Sequence, residues 1–190
     1  YIAIEGPIGV GKTSLANLMS KELSARLVRE EFDENPFLPD FYKDPERFAF
    51  QTQLFFLLQR YRQQQELRQV DMFQKLLVTD YMFVKDRLFA SLNLGEKEMQ
   101  LYDTEANLLE RNIIKPDLGI YLQADTDTLM KNIAKRGREM ETDITYEYID
   151  ALSQVYTEYF FRYQDTPLVI INTNNIDFVH NEDDLKEVIK

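Results

Sequence analysis

Gly6-Pro7-Ile8-Gly9-Val10-Gly11-Lys12-Thr13 carries the spacing G-x-x-x-x-G-K-T, and Ser14 follows it. These residue types in this order suit a phosphate cradle. Glycines let backbone N–H groups turn inward onto phosphate oxygens, and a helix that starts at the loop adds the positive end of its dipole. Lys12 then reaches β- and γ-phosphates, and the Thr13 hydroxyl offers Mg²⁺ a hard oxygen ligand. The motif needs a strand before it and a helix after it. Tyr1-Ile2-Ala3-Ile4 suits a buried strand, and Leu15, Leu18, Met19 and Leu23 recur at helical spacing.

Phosphoryl transfer needs further parts: Mg²⁺ ligands, a base for the acceptor, and cations over the moving group. Two carboxylates are placed to serve. Glu30 ends the apolar run Ala25–Val28, and Asp80 ends Leu76-Leu77-Val78-Thr79. One could hold Mg²⁺ and one could take a proton; solvated strand-end caps are the plainer reading of either alone. Lys135, Arg136 and Arg138 flank Gly137 after a helix. They could complement that helix's dipole, but beside a phosphate loop they read as a lid whose guanidinium groups spread phosphate charge. Gln53 and Arg60 lie seven residues apart on a long helix, about two turns, so they point the same way. Together they could read a nucleobase edge. On spacing alone, a solvated helix face explains them better, because the segment is rich in Gln and Arg.

The elements that must position these groups alternate. Strands are expected at 1–4, 25–30, 76–80, 118–122 and 168–172. Helices are expected after the glycine loop, over 46–69, before Gly95, over 96–113, from Asp125 or Thr126 to the 135–138 cluster, over 145–163, and from Glu182. Residues 31–45 read as irregular, with Pro36, Pro39 and Pro45 as breakers. Strand–helix alternation implies a parallel sheet covered on both faces, with all C-terminal strand ends on one rim. The glycine loop, Glu30, Asp80 and Asn172 should share that rim, where ligands bind.

The 190 residues suffice for one α/β domain, with 13 Phe and 11 Tyr for its core. A net charge of −11 argues against a broad duplex-binding surface, although a small anionic ligand needs only a local basic pocket. No apolar run matches a membrane span and nothing resembles a signal peptide. The absence of Cys excludes disulfides and thiolate metal sites and fits an intracellular, cytoplasmic protein. With a single His, His180, a permanent zinc site is not expected. The chain opens inside a strand without Met, so the natural protein is expected to extend before residue 1.

In order and spacing, these residues resemble the deoxynucleoside kinase family, nearest its bacterial deoxyadenosine/deoxyguanosine kinase branch. The resemblance runs through Glu5–Thr13, Glu30 with Asn35-Pro36, Phe41–Phe50 leading into Gln53 and Arg60, Arg136-Gly137-Arg138 with Glu141, and Ile176-Asp177-Phe178. It implies a single P-loop kinase domain over residues 1–190, a three-layer α/β fold with a five-stranded parallel sheet flanked by helices, and a lid near 135–145. It implies ATP with Mg²⁺, a small deoxynucleoside acceptor with a mild purine preference, and a homodimer joined through helices. Nucleic-acid and membrane partners are not expected. Gly6, Gly9, Val10, Gly11, Lys12, Thr13 and Ser14 would hold ATP phosphates, and Thr13 with Asp80 would hold Mg²⁺. Glu30 would be the general base for the 5′-hydroxyl. Tyr42 and Glu141 would contact the sugar 3′-hydroxyl, and Gln53, Arg60 and Asp86 the base. Phe48 and Phe89 could pack near it. Lys12, Arg136 and Arg138 would serve catalysis at the phosphates, and Asp177 and Phe178 would lie beside the ATP adenine.

Two positions depart from the family pattern. Tyr81 stands where relatives usually carry an arginine near the base carboxylate, and Asn132 where the lid helix often has one. Arg87, beside Asp86, is a candidate replacement for the first. These departures motivate a second reading, a nucleotide-binding member without catalysis. A third reading, a nucleoside monophosphate kinase of thymidylate type, needs extra cations for its acceptor phosphate, and the missing arginine argues against it.

Overall fold

A computed structural model describes residues 1–67 and 76–189. In chain order the elements are β1 (Ile2–Glu5), α1 (Lys12–Glu22), β2 (Arg26–Val28), α2 (Leu38–Lys43), α3 (Pro45–Leu67), β3 (Leu77–Thr79), α4 (Lys85–Asn93), α5 (Glu96–Glu110), β4 (Leu118–Gln123), α6 (Thr126–Arg136), α7 (Tyr146–Phe161), β5 (Leu168–Asn172) and α8 (Glu182–Ile189). The five strands form a parallel sheet in the order β2-β3-β1-β4-β5. This is the expected α/β class. The expected end of the long helix at Gln69 lies outside the described residues.

Strand alternation sorts side chains onto the two faces. Ile4, Val78, Ile120 and Leu122 point to one face, where Leu15 and Met19 of α1 and Leu129 and Ile133 of α6 cover them. Ala3 and Tyr121 point to the other, where Leu88 of α4 and Leu152, Tyr156 and Phe160 of α7 cover them. The ring of Tyr121 stacks on Phe160 with centroids 4.4 Å apart. A third cluster, around Leu57, Phe83 and Tyr102, seats α3 and α5 against α4. The rim at the strand C-termini is thereby bracketed by α3 and α4 on one side and α6 on the other.

Local chemistry sets the boundaries. The Asp125 carboxylate accepts the Thr128 N–H at 2.8 Å and starts α6, and Gly137, in the left-handed region at φ 64°, ends it. Thr145 caps α7 through the Tyr148 N–H. The irregular reading of 31–45 needs correction. Pro39 sits in the first turn of α2 and Pro45 opens α3, where a missing N–H breaks no hydrogen bond. Those prolines start helices here.

Candidate active site

The C-terminal rim opens into one continuous cleft of about 1080 Å³, lined from the glycine loop through Glu30 to Gln53 and Glu141. Single small-molecule pockets run to roughly 300–1,000 Å³, so this volume suits two ligands end to end.

The glycine loop joins β1 to α1. Gly9 has φ 86°, and a Cβ there would lie 2.7 Å from the Leu129 carbonyl oxygen. Any side chain at that position would drive the loop off α6. Val10 is buried in the core and anchors the loop from below, while Ser14 lines the cleft. Lys12 folds back over the loop, and its Nζ donates to the carbonyls of Gly6 at 2.6 Å and Pro7 at 2.9 Å. Burial, and next the charge of Lys85, push its ammonium down to about 8. Asn132 donates from its amide to the Gly9 carbonyl at 2.9 Å, so it ties α6 to the loop.

Asp80 is buried just beyond β3. Its Oδ2 accepts from the Thr13 hydroxyl at 2.6 Å, and its Oδ1 accepts from the Glu30 N–H at 2.7 Å. The carboxylate therefore locks the loop, β3 and the end of β2 together. A hydroxyl and a carboxylate in hydrogen-bond contact form an all-oxygen donor pair. That pair fits Mg²⁺, which commonly takes one or two protein oxygens and completes its shell with water and phosphate. Among the described residues no cluster of three or more His, Cys, Asp or Glu could hold a metal by itself.

Glu30 is gripped at both oxygens. Arg60 donates to Oε1 at 2.8 Å, and Lys85 donates from Nζ to Oε2. Burial by itself would raise the Glu30 carboxyl, but Lys85 and then Arg60 outweigh it and hold the group well below the usual carboxylate range. Arg60 also clasps Asp86 with both Nε at 2.7 Å and a terminal nitrogen at 2.9 Å. Burial opposes charge on Arg60, yet Asp86 and Glu30 more than compensate and keep it protonated.

Gln53 and Arg60 are both buried, at 2% and 3% exposure, and both line the cleft. The solvated-face reading is thus overturned. α3 is covered on several sides, so Gln53, Arg60, Gln63 and Gln64 are interior groups, while Arg47, Gln51 and Arg62 stay exposed. Gln53 Oε1 is buried without a protein partner. A buried amide in that state wants a ligand hydrogen bond. Phe89 lines the same cleft, whereas Phe48 packs beside Leu38 and Phe41.

Glu141 is buried at the opposite wall. Its carboxylate takes a two-pronged grip from Arg136, with contacts of 2.6, 2.7 and 3.1 Å, and a weaker one from Arg138 at 3.4 Å. The Arg138 guanidinium lies 4.0 Å from the centre of the Phe32 ring. Tyr42 also lines this wall, its phenol pushed well up by burial. In this arrangement Glu141 neutralises Arg136 and engages Arg138 weakly. On the far side, Asp177 is exposed and accepts from the N–H groups of Val179 and His180 and pairs with the His180 ring. Phe178 is buried below the loop, its ring 3.1 Å from where a Gly11 Cβ would stand.

Tyr81 does not face the cleft. It is fully buried, with its ring 4.9 Å under the Arg60 guanidinium. Arg87 does not replace an arginine there either. It points along α4 toward α5, pairing with Asp103 at 3.3 Å and Glu110 at 3.5 Å and donating to Asn107. One helical step turns its side chain off the cleft wall, whereas Lys85, two residues earlier, faces it. Sequence reasoning missed Lys85. Its one signal is that Lys85 and Phe89 are spaced four apart on the face that also carries Asp86. Glu5 was missed as well. It is fully buried and accepts from the N–H of Gly6 at 2.9 Å, the N–H of Met82 at 2.6 Å and the Tyr156 hydroxyl at 3.0 Å. It joins the glycine loop, the segment leading to Lys85, and α7.

Comparison with known proteins agrees with this geometry. The family model described as deoxynucleoside kinase matches residues 2–190. Deoxyguanosine kinase of Bacillus subtilis is 32% identical, over 99% of this chain and 93% of its own. Deoxyadenosine kinase of Lactobacillus acidophilus is 34% identical, over 100% and 93%. The solved structure of deoxyadenosine kinase from M. mycoides with bound dATP superposes with a TM-score of 0.86 at 25% identity, covering 99% of this chain and 96% of that one. With its rim, its phosphate loop and its full-length relatives in agreement, this chain belongs to the deoxynucleoside kinase family.

Proposed function

We propose that this protein transfers the γ-phosphoryl group of ATP to the 5′-hydroxyl of a 2′-deoxyribonucleoside, with purine acceptors favoured, as a step of nucleotide salvage. The observation that carries the reading is the adjacency of two half-sites in one cleft. The glycine loop, Glu30 and the buried Gln53, Arg60 and Asp86 line the same cleft, with Glu30 bonded to Arg60 and, through Asp80, linked to Thr13. In this reading Gly6, Gly9, Val10, Gly11 and Ser14 shape the phosphate cradle, and Lys12 holds the β- and γ-phosphates. Thr13 and Asp80 would hold Mg²⁺, which would offset phosphate charge during transfer. Gln53, Arg60 and Asp86 hold the base, and Tyr42 and Glu141 the sugar 3′-hydroxyl. Glu30 takes the 5′-hydroxyl proton as the new O–P bond forms and ADP leaves with the electrons of the old one. Residues 135–145 act as a lid. Arg136 and Arg138 exchange Glu141 for ATP phosphates when that carboxylate turns to the sugar. Asp177 and Phe178 border the adenine.

The proposal includes a single functional domain and a cytoplasmic homodimer with no nucleic-acid or membrane partner. Among the described residues, no helix is long and apolar enough to cross a membrane.

A coupled ADP-release assay with ATP, Mg²⁺ and each of the four common deoxynucleosides tests the reading. Turnover on deoxyadenosine or deoxyguanosine above the pyrimidines is expected. A monophosphate preferred over every nucleoside would point to the thymidylate-type reaction, and ATP binding without turnover to a non-catalytic member.

Lys12 adds a pH signature. Its ammonium titrates near 8 without ligand. Bound phosphates favour the charged form, so ATP binding should take up a proton above that pH. Affinity for ATP should fall as pH rises past 8, approaching roughly tenfold per pH unit. Calorimetric titrations in buffers of different ionisation enthalpy would read both effects. An affinity flat from pH 7 to about 9.5 would separate Lys12 from the phosphates.

A further inference from the structure

Both oxygens of Glu30 are occupied, one by Arg60 and one by Lys85. Each oxygen can accept a second hydrogen bond, but a hydroxyl that gives its proton to one of them competes with the cation held there. Arg60 is held by two bonds to Asp86 and by the Tyr81 ring beneath it. Among the described residues Lys85 has no comparable hold. Besides Glu30 it has the Phe89 ring face, with Nζ 5.5 Å from the centroid. It stands on four rotatable carbons at the first residue of α4. A lysine there opposes the helix dipole, so α4 gains nothing from its charge. It lines the same cleft as Lys12, and its charge is felt at Lys12 and at Glu5. The ammonium therefore stands beside Glu30, in the same cleft as the glycine loop.

We propose that Lys85 is a catalytic cation that changes partner during the reaction: it neutralises Glu30 while the acceptor is absent, and turns to the transferring phosphoryl group when the 5′-hydroxyl takes its place on Oε2. This rests on the reading of Glu30 as the base. Releasing Lys85 does two things at once. Glu30 loses one of two cations and becomes a stronger base at the moment it is needed. The phosphoryl oxygens gain a positive charge as they pass from ADP to the acceptor. The hydroxyl proton goes to Glu30, the O5′–P bond forms, the P–O bond to ADP breaks, and Lys85 keeps its protons throughout. The position also accounts for Tyr81. A tyrosine can sit beneath Arg60 because the cation near the reacting atoms comes from α4.

The test is a double-mutant cycle in the full chain with Lys85→Met and Glu30→Gln, read as single-turnover rate and deoxynucleoside affinity. Lys85→Met should lower the rate by about 10²–10³, the range for losing one transition-state donor, with nucleoside affinity kept within roughly threefold. Lys85→Arg should recover most of that loss. In the Glu30→Gln background, Lys85→Met should still cost at least about tenfold, because the ammonium serves the phosphoryl group as well as the base. If Lys85→Met has no effect once Glu30 is Gln, Lys85 acts only as the carboxylate's counter-ion and the proposal fails. It fails too if Lys85→Met alone keeps the wild-type rate. Should Lys85→Met not fold, Lys85→Arg and Lys85→Gln carry the comparison. Gln matching Arg in rate would then overturn it. Full activity in Glu30→Gln would instead remove the base reading and leave the wild-type effect of Lys85→Met to be judged by itself.

Discussion

Replacing Glu30 by Gln should lower turnover by about 10²–10⁴, the usual worth of general-base help, while deoxynucleoside affinity changes little. The amide keeps the shape of the carboxylate and can still accept from Arg60 through one oxygen. It cannot take a proton. Arg60 stays neutralised by Asp86, so the Gln53–Arg60–Asp86 side of the cleft should survive. Rapid-quench kinetics would separate the lost chemical step from binding, and a variant at wild-type rate would remove Glu30 from the base role. The same substitution has a stability signature. The folded state holds the Glu30 carboxyl well below its ordinary range, so its charge stabilises the fold above that range. That stabilisation fades as pH falls through it toward the depressed folded value. Wild type should therefore melt above Glu30→Gln at neutral pH, and the gap should narrow on acidification. A gap independent of pH would mean that the difference is not electrostatic.

Replacing Arg60 by Met should be the most damaging single change in the acceptor half. It leaves Asp86 ionised or protonated in a site 3% exposed, without its two-pronged partner, and removes one of the two cations on Glu30. Breaking a buried pair from one side costs about 3–5 kcal/mol. For a chain of this size that lowers the melting temperature by roughly 6–20 °C. The double variant Arg60→Met with Asp86→Leu should regain a large share of the stability, because an apolar pair of similar volume leaves no buried charge unmatched. It should not regain phosphorylation, since the guanidinium and carboxylate proposed to hold the nucleobase are both gone. Thermal unfolding alongside the ADP-release assay would check both halves. A double variant as unstable as the single one would mean that the cost comes from packing around Tyr81 and not from the orphaned charge.

The two experiments probe one network. Arg60 is fixed because it satisfies two carboxylates, and Glu30 is a weak base at rest because it satisfies two cations. Such mutual satisfaction keeps a charged cluster affordable in the interior. It also makes the cluster responsive, because a ligand that displaces any one contact changes the charge balance of the rest.

The sequence by itself determined the alternation of strands and helices, the placement of the glycine loop between β1 and α1, and the strand-end acids Glu30 and Asp80. These are local features. Apolar runs of four to six residues, glycine spacing and capping residues act within a few positions of each other, and parallel connection then forces every strand end to one rim. What the tertiary structure decided depends on neighbours distant in the chain. Whether Gln53 and Arg60 face solvent or the interior is set by α4 and α5 closing over α3, which no periodicity within α3 encodes. Prolines that look like breakers became helix starts because the chain direction around them suits the first turn. Above all, which cation stands beside Glu30 was decided by the rotation of α4. Two helical steps, about 200° of rotation, separate Arg87, which meets Asp103 and Glu110 on α5, from Lys85, which faces the cleft. Charge type is written in the sequence, but the partner of a charge is a matter of three-dimensional position.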